Sequence, residues 1–185
     1  FVSTPELRSE SSIGGDPLEP GQAWTLGPGG EGEHPGLFRI EVNEGPGSGV
    51  KIINKPVPPA FKESMGFAEQ NLYARSAQLV GDKEPRNHEF TVQLRAFDAS
   101  KSGAGVGVAG LIALCTALLK KSVRGGLVVA GNINLGGSLD PVYDPVSLAE
   151  IAVEKGASAL LMPVSCRRRL FDLSDDMATR IDIQF

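Results

Sequence analysis

Cysteine is nearly missing from this chain of 185 residues, with Cys115 and Cys166 the two present. They fall in no C-x-x-C or zinc-type spacing, so neither a disulfide framework nor a structural metal centre is expected, and both read as reduced thiols. Cys166 precedes Arg167, Arg168 and Arg169, a setting that favours a thiolate, yet a lone surface cysteine is ordinarily a bystander. Histidine is equally scarce. His34 and His88 are the only two, both in loop-like settings without a Ser-His-Asp or Cys-His pattern around them. No apolar run is long enough to span a membrane and no secretory leader pattern is present, so the expected location is the cytoplasm. Charge of one sign is also lacking. Eighteen Lys and Arg against 22 Asp and Glu give a net charge of -4, which excludes a dedicated polyanion-binding surface and leaves Arg167–Arg169 as the one basic cluster. The chain begins at Phe1 and stops within an apparent strand, as expected of a domain excised from a longer protein.

What the sequence does have is glycine and proline, 23 and 13 residues. Much of both lies in residues 1–35, in phrases such as SSIGGDPLEPGQ and TLGPGGEGEHPG. That composition predicts an extended arm or linker, with Ala23–Thr25 a short edge strand. From residue 36 the patterning becomes regular. LFRIEVNE (37–44) and VKIIN (50–54) alternate at period two around GPGSG, which predicts a hairpin. Phe61, Met65, Ala68, Leu72 and Leu79 stripe one face of a helix over about 60–80. His88–Phe97 alternates again, and a helix over about 104–120 is apolar nearly all round and therefore buried. GGLVVAGNINLGGSLDPV reads as strand, tight turn, strand. Pro145–Lys155 reads as a helix closed by Gly156, ALLMPV as a buried strand, Arg167–Phe171 as a helical turn, and ATRIDIQF as a last strand. Elements mixed in this order predict an α/β (α+β) layer fold.

The stretch KSGAGVGVAG (101–110) contains a formal G-x-G-x-x-G at Gly105, Gly107 and Gly110. A dinucleotide site also needs a buried apolar strand before it and an acidic residue about 20 positions on. Here the preceding strand is half polar (Thr91, Gln93, Arg95), and the next ends in Ala130-Gly131-Asn132. GPGSGVK (45–51) lacks the spacing of a P-loop and joins strands. No cofactor site and no metal site is expected in this chain. The glycines instead predict close approach of backbone at a helix start, with Ser102 as its N-cap.

Residues 36–185 resemble the proteolytic domain of Lon proteases, a Ser-Lys peptidase domain that follows an AAA+ ATPase module. The resemblance rests on Phe61-Lys62-Glu63-Ser64 against a family K-E-S, on the glycine loop against D-G-P-S-A-G, and on Ser122-Val123-Arg124 against P-V-R. It is clearest in VAGNINLGGSLDP (129–141) against M-T-G-E-I-T-L-x-G-x-V-L-P. LLMPVSCRRRLFDLSDDMATRIDIQF is similar in wording to the Lon-related AAA+ proteins of bacterial BREX phage-defence systems. The resemblance implies a ribosomal protein S5 domain 2-like fold with a mixed sheet and packed helices. It also implies a hexameric homo-oligomeric ring in the full-length protein, with ATP and Mg bound only by the ATPase module outside this chain and any DNA contact made through other domains.

A Ser-Lys dyad needs a hydroxyl nucleophile and a lysine neutral enough to take its proton. The family register puts the nucleophile position at Gly105 and the general-base position at Leu148, neither of which can act. The family's Thr and Glu in T-G-E become Ala130 and Asn132, and its loop acid becomes Ser102. The implied reading is a proteolytically inactive Lon-like domain that supports ring assembly. Two alternatives stand beside it. One is a peptidase using Ser102 as a shifted nucleophile with Lys101 or Lys155 as base. The other is DNA or partner binding through Arg167–Arg169, although three consecutive arginines on a helix make a collar more readily than a stripe.

Overall fold

A computed structural model describes residues 13–27, 34–98, 102–142, 144–172 and 175–185. Strands β1 (Gln22–Gly27), β2 (Gly36–Pro46) and β3 (Gly49–Ile52) are followed by helices α1 (Pro59–Ala74) and α2 (Ser76–Val80). Strand β4 (His88–Ala96), helix α3 (Gly107–Leu119) and strand β5 (Leu127–Val129) come next. The chain continues through β6 (Asn132–Ile133), β7 (Leu139–Asp140), α4 (Pro145–Glu154) and β8 (Ala159–Leu161), and closes with a 3-10 segment (Val164–Asp172), α5 (Asp175–Arg180) and β9 (Asp182–Gln184). Seven strands form one sheet in the order β3-β4-β2-β1-β5-β8-β9, while β6 and β7 make a separate antiparallel pair. Four of the six neighbouring pairs in the large sheet are parallel, and β1–β2 and β2–β4 are antiparallel. The fold is thus the mixed α/β architecture that the patterning predicts.

Two expectations about the first half are corrected. Of the arm expected over residues 1–35, 1–12 and 28–33 lie outside the described residues, and its edge strand gives way to β1 at the centre of the sheet, hydrogen-bonded to β2 on one side and β5 on the other. Ala23, Trp24 and Leu26 are buried there, and Ile13 is buried against the same core as Trp24. A mean over a Gly/Pro-rich window hides a six-residue apolar segment, QAWTLG, whose burial outweighs its surroundings. The expected β2–β3 hairpin does not form either. β4 inserts between the two strands, antiparallel to β2 and parallel to β3. The link passes over β4 at Gly47, where a Cβ would sit 3.0 Å from the Glu89 Cβ. Alternation marks the strands but carries no information on which partner each one takes.

Both faces of the sheet carry a core. Phe38, Ile40, Phe90 and Val92 point toward α1 and α3, meeting Phe61, Met65, Leu72 and Leu114. Trp24, Leu26, Leu37, Val128 and Leu160 point the other way, where Leu148, Ala149 and Ala152 of α4 cover them. The helix expected over 60–80 breaks at Arg75 into α1 and α2. The predicted strand-turn-strand after Gly126 divides between β5 in the large sheet and the separate β6–β7 hairpin.

Candidate functional site

At the ends of the parallel strands β1 and β5 lies a cavity of about 190 Å3, open to the surface and lined by Leu26, Gly105, Gly131, Asn132, Asp140, Pro141, Val142 and Leu148. Three local structures build it. The glycine loop brings Gly105, at φ +68, ahead of α3. Its neighbours are held tightly: a Cβ on Gly103 would lie 2.6 Å from Leu94 Cδ2, and one on Gly110 would lie 2.6 Å from Met65 Sδ. Close approach is therefore what these glycines supply.

The second structure is the start of α4. Asp144 caps it, its Oδ1 accepting from the Ser147 amide at 3.3 Å and its Oδ2 from the Ser147 hydroxyl at 2.8 Å, with Pro145 in the first turn. That arrangement satisfies amides that a helix start leaves without partners. It sets Leu148 in the first turn, 1% exposed.

The third is the β6–β7 hairpin, which carries Asn132 and Asp140. Asn71 of α1 is fully buried and pins the hairpin down. Its Nδ2 donates to the Phe67 and Asn134 carbonyls, each at 2.9 Å, and its Oδ1 accepts from Arg75 Nη1 at 2.8 Å. Arg75 Nη2 then donates to the Gly136 carbonyl at 2.7 Å. Neither residue stood out in the sequence. An asparagine on the buried stripe of an amphipathic helix was the one available signal, because such a group must find partners.

Asn132 closes the site from beside α3. Its Oδ1 accepts from the Gly107 amide at 3.1 Å, and the Val108 amide donates to the Gly131 carbonyl at 3.3 Å. The cap expected from Ser102 is thus supplied by Asn132, since α3 begins only after Val106. Ser102 Oγ instead accepts a long 3.4 Å contact from the Ala104 amide.

Gly105 and Leu148, expected from the motif register at the dyad positions, line the same cavity. The alternative residues do not join them. Lys155 is the C-cap of α4, about 10 Å along the helix axis from Leu148 at 1.5 Å per residue. Neither Ser102 nor Lys155 lines the cavity, and Lys101 lies outside the described residues. His88 Nδ1 meets Glu44 Oε2 at 2.8 Å, and His34 is exposed on a loop. Arg167, Arg168 and Arg169 are exposed on the 3-10 segment, where Arg167 stacks on Phe185 at 5.0 Å. Cys166, expected at the surface, is 2% exposed within the α4-side core. Burial pushes the Cys115 thiol up to about 11, which makes it a poor nucleophile at neutral pH. Among the described residues no group of three or more His, Cys, Asp or Glu is placed to hold a metal ion, and no helix is long and apolar enough to cross a membrane.

The mixed sheet, the buried helix behind a glycine loop and the hairpin beside it agree with the Lon-type proteolytic domain that the sequence resembles. The family model for the Lon protease C-terminal proteolytic domain matches residues 7–185, and the chain belongs to that family. The match takes in β1, so the domain begins well before residue 36. Among curated relatives, the chain is 26% identical over 190 residues to the Lon-like protease BrxL of Escherichia coli O9:H4, covering 100% of this chain and 27% of that protein. It is 24% identical to the Lon-like protease BrxL of Bacillus cereus, over 89% of this chain and 24% of the relative. To the Lon protease of Methylocella silvestris it is 28% identical, over 88% of this chain and 19% of the relative. The chain thus spans between about a fifth and a quarter of the length of these proteins.

Proposed function

We propose that this chain is a Lon-type domain that keeps the peptidase scaffold without hydrolysing peptide bonds, and that it helps assemble a ring of AAA+ subunits. The observation carrying this reading is the composition of the cavity. Gly105 and Leu148, which the motif register assigns to the family's nucleophile and base positions, share it, and among the described residues none that lines it bears a hydroxyl, thiol or amine. Asp140 is the one carboxylate among the described lining residues, whereas acid-base hydrolysis by carboxylates uses a pair with separated roles. The apolar framework meanwhile remains closely packed, with Phe38, Phe61, Phe90, Leu114 and Leu160 all fully buried. Packing specifies a fold, and a site can be lost from it without the fold changing.

The finer parts of the proposal follow what the family resemblance of the sequence implies. The full-length protein is a hexamer working in phage defence in the cytoplasm, its ATP and Mg are held by an ATPase module outside this chain, and any DNA is bound by other domains. The test is turnover of an unfolded protein substrate by the full-length protein with ATP, beside its Ser102→Ala variant. Background-level cleavage by both supports the reading. Cleavage abolished by Ser102→Ala replaces it with a shifted-nucleophile peptidase, and cleavage that survives the substitution refutes the assignment of Gly105 and Leu148 as a lost dyad.

A further inference from the structure

The cavity left between Gly105 and Leu148 has a chemistry of its own. Leu26, Pro141, Val142 and Leu148 give it apolar walls. Leu26 and Leu148 are at most 1% exposed and Val142 is 7% exposed, so the walls are fixed parts of the core. Among the described residues Asp140 is the only charged one lining it, and no lysine, arginine or histidine faces it. The Asp140 carboxylate is poorly occupied: Asn134 Nδ2 reaches its Oδ1 at 3.5 Å, the outer limit of a hydrogen bond.

An anion gains less at the same place. Two first-turn amides of α3 are already used, Gly107 N by Asn132 Oδ1 and Val108 N by the Gly131 carbonyl, which leaves fewer free donors for a phosphate or carboxylate. The space, about 190 Å3 and open to the surface, has room for a short aliphatic stem with one head group.

We infer that this cavity binds a primary ammonium on an unbranched aliphatic stem, with the stem against Leu26, Val142 and Leu148 and the head on the Asp140 carboxylate. A lysine side chain presents this chemistry. The inference rests on the proposed vacancy of the dyad, since a lysine at position 148 would fill the space from within.

The test is an NMR titration of the full protein's domain signals with n-butylammonium chloride, following the amides of Gly105, Gly131 and Asn132, with 1-butanol and butyrate as matched probes. Saturable shifts are expected for n-butylammonium alone, and Asp140→Asn should weaken binding at least tenfold while the remaining signals keep their positions. Nα-acetyl-lysine methylamide then carries the test to the side chain itself, with glycylglycine amide, whose ammonium has no aliphatic stem, as the matched control. Binding of the first alone supports the inference, and equal binding of the second would overturn it. Equal shifts with 1-butanol would overturn it in favour of a merely apolar pocket, and so would absence of saturable shifts with n-butylammonium or retention of full affinity in Asp140→Asn. The 1-butanol comparison decides the matter in the unsubstituted protein even if the variant fails to fold. Peptide cleavage is a separate readout: a protein that binds the cation yet hydrolyses peptides contradicts the proposed function, and one that does neither contradicts this inference alone.

Discussion

Replacing Asn71 by alanine should loosen one wall of the cavity without touching the cavity itself. Besides its bond to the Phe67 carbonyl, the side chain donates from Nδ2 to the Asn134 carbonyl of the hairpin at 2.9 Å and accepts at Oδ1 from Arg75 Nη1 at 2.8 Å. A neutral hydrogen bond contributes about 1 kcal/mol and one to a charged group about 1.5–3 kcal/mol. Two terms reduce the loss. Asn134 O also accepts from the Gly137 amide at 3.0 Å, so it is not left empty. Alanine also gains about 0.6 kcal/mol of helix propensity over asparagine. The expected net cost is about 2 kcal/mol, felt first by the hairpin. Hydrogen exchange reads this directly through the Asn134, Gly137 and Ser138 amides, whose bonds lie within the hairpin turn. Their exchange should quicken by roughly 30-fold at 1.4 kcal/mol per factor of ten, while Phe90 and Val92 in the centre of β4 lose no more than the global change. Unchanged hairpin amides would refute the clamp, as would a uniform loss across the whole protein.

Three further outcomes follow from single contacts. Asn132→Ala removes the cap on the Gly107 amide and should cost about 1 kcal/mol in urea unfolding. Thr25 Oγ1 is buried with no hydrogen-bond partner among the described residues, so the near-isosteric Thr25→Val should stabilise by about 1 kcal/mol, again by urea unfolding. The Cys115 thiol is raised by burial from its ordinary value of 9.0 to about 11. Above pH 9 the unfolded chain releases this proton while the folded one holds it, so stability is full below pH 9 and falls by about 1.4 kcal/mol per unit up to pH 11. Cys115→Ala should flatten that part of the stability-pH curve relative to the unsubstituted protein.

Much of the architecture was legible because burial imposes a period. The stripe Phe61, Met65, Ala68, Leu72 marked α1, alternation marked β2 and β4, and an apolar run marked α3. Pairing was not legible, since the insertion of β4 between β2 and β3 depends on contacts far apart in sequence. Nor was β1, whose short apolar segment lies among glycines and prolines whose average predicted no order. At the site, motif register brought Gly105 and Leu148 to one cavity. The cap on α3 was misassigned because Ser102 is the local candidate, whereas Asn132 reaches it from 25 residues away. Asn71 and Arg75 escaped notice for the same reason: their partners are backbone carbonyls of a hairpin with no sequence mark of its own.

The central claim is that the nucleophile and base positions of a Lon domain survive here as Gly105 and Leu148, facing one another across a space that no longer holds either group. A crystal structure of the paired variant Gly105→Ser, Leu148→Lys measures this directly. The account predicts the new hydroxyl and amine within about 3.2 Å, or joined by one bridging water. Side chains pointing into different spaces, or separated by more than one water, would contradict it.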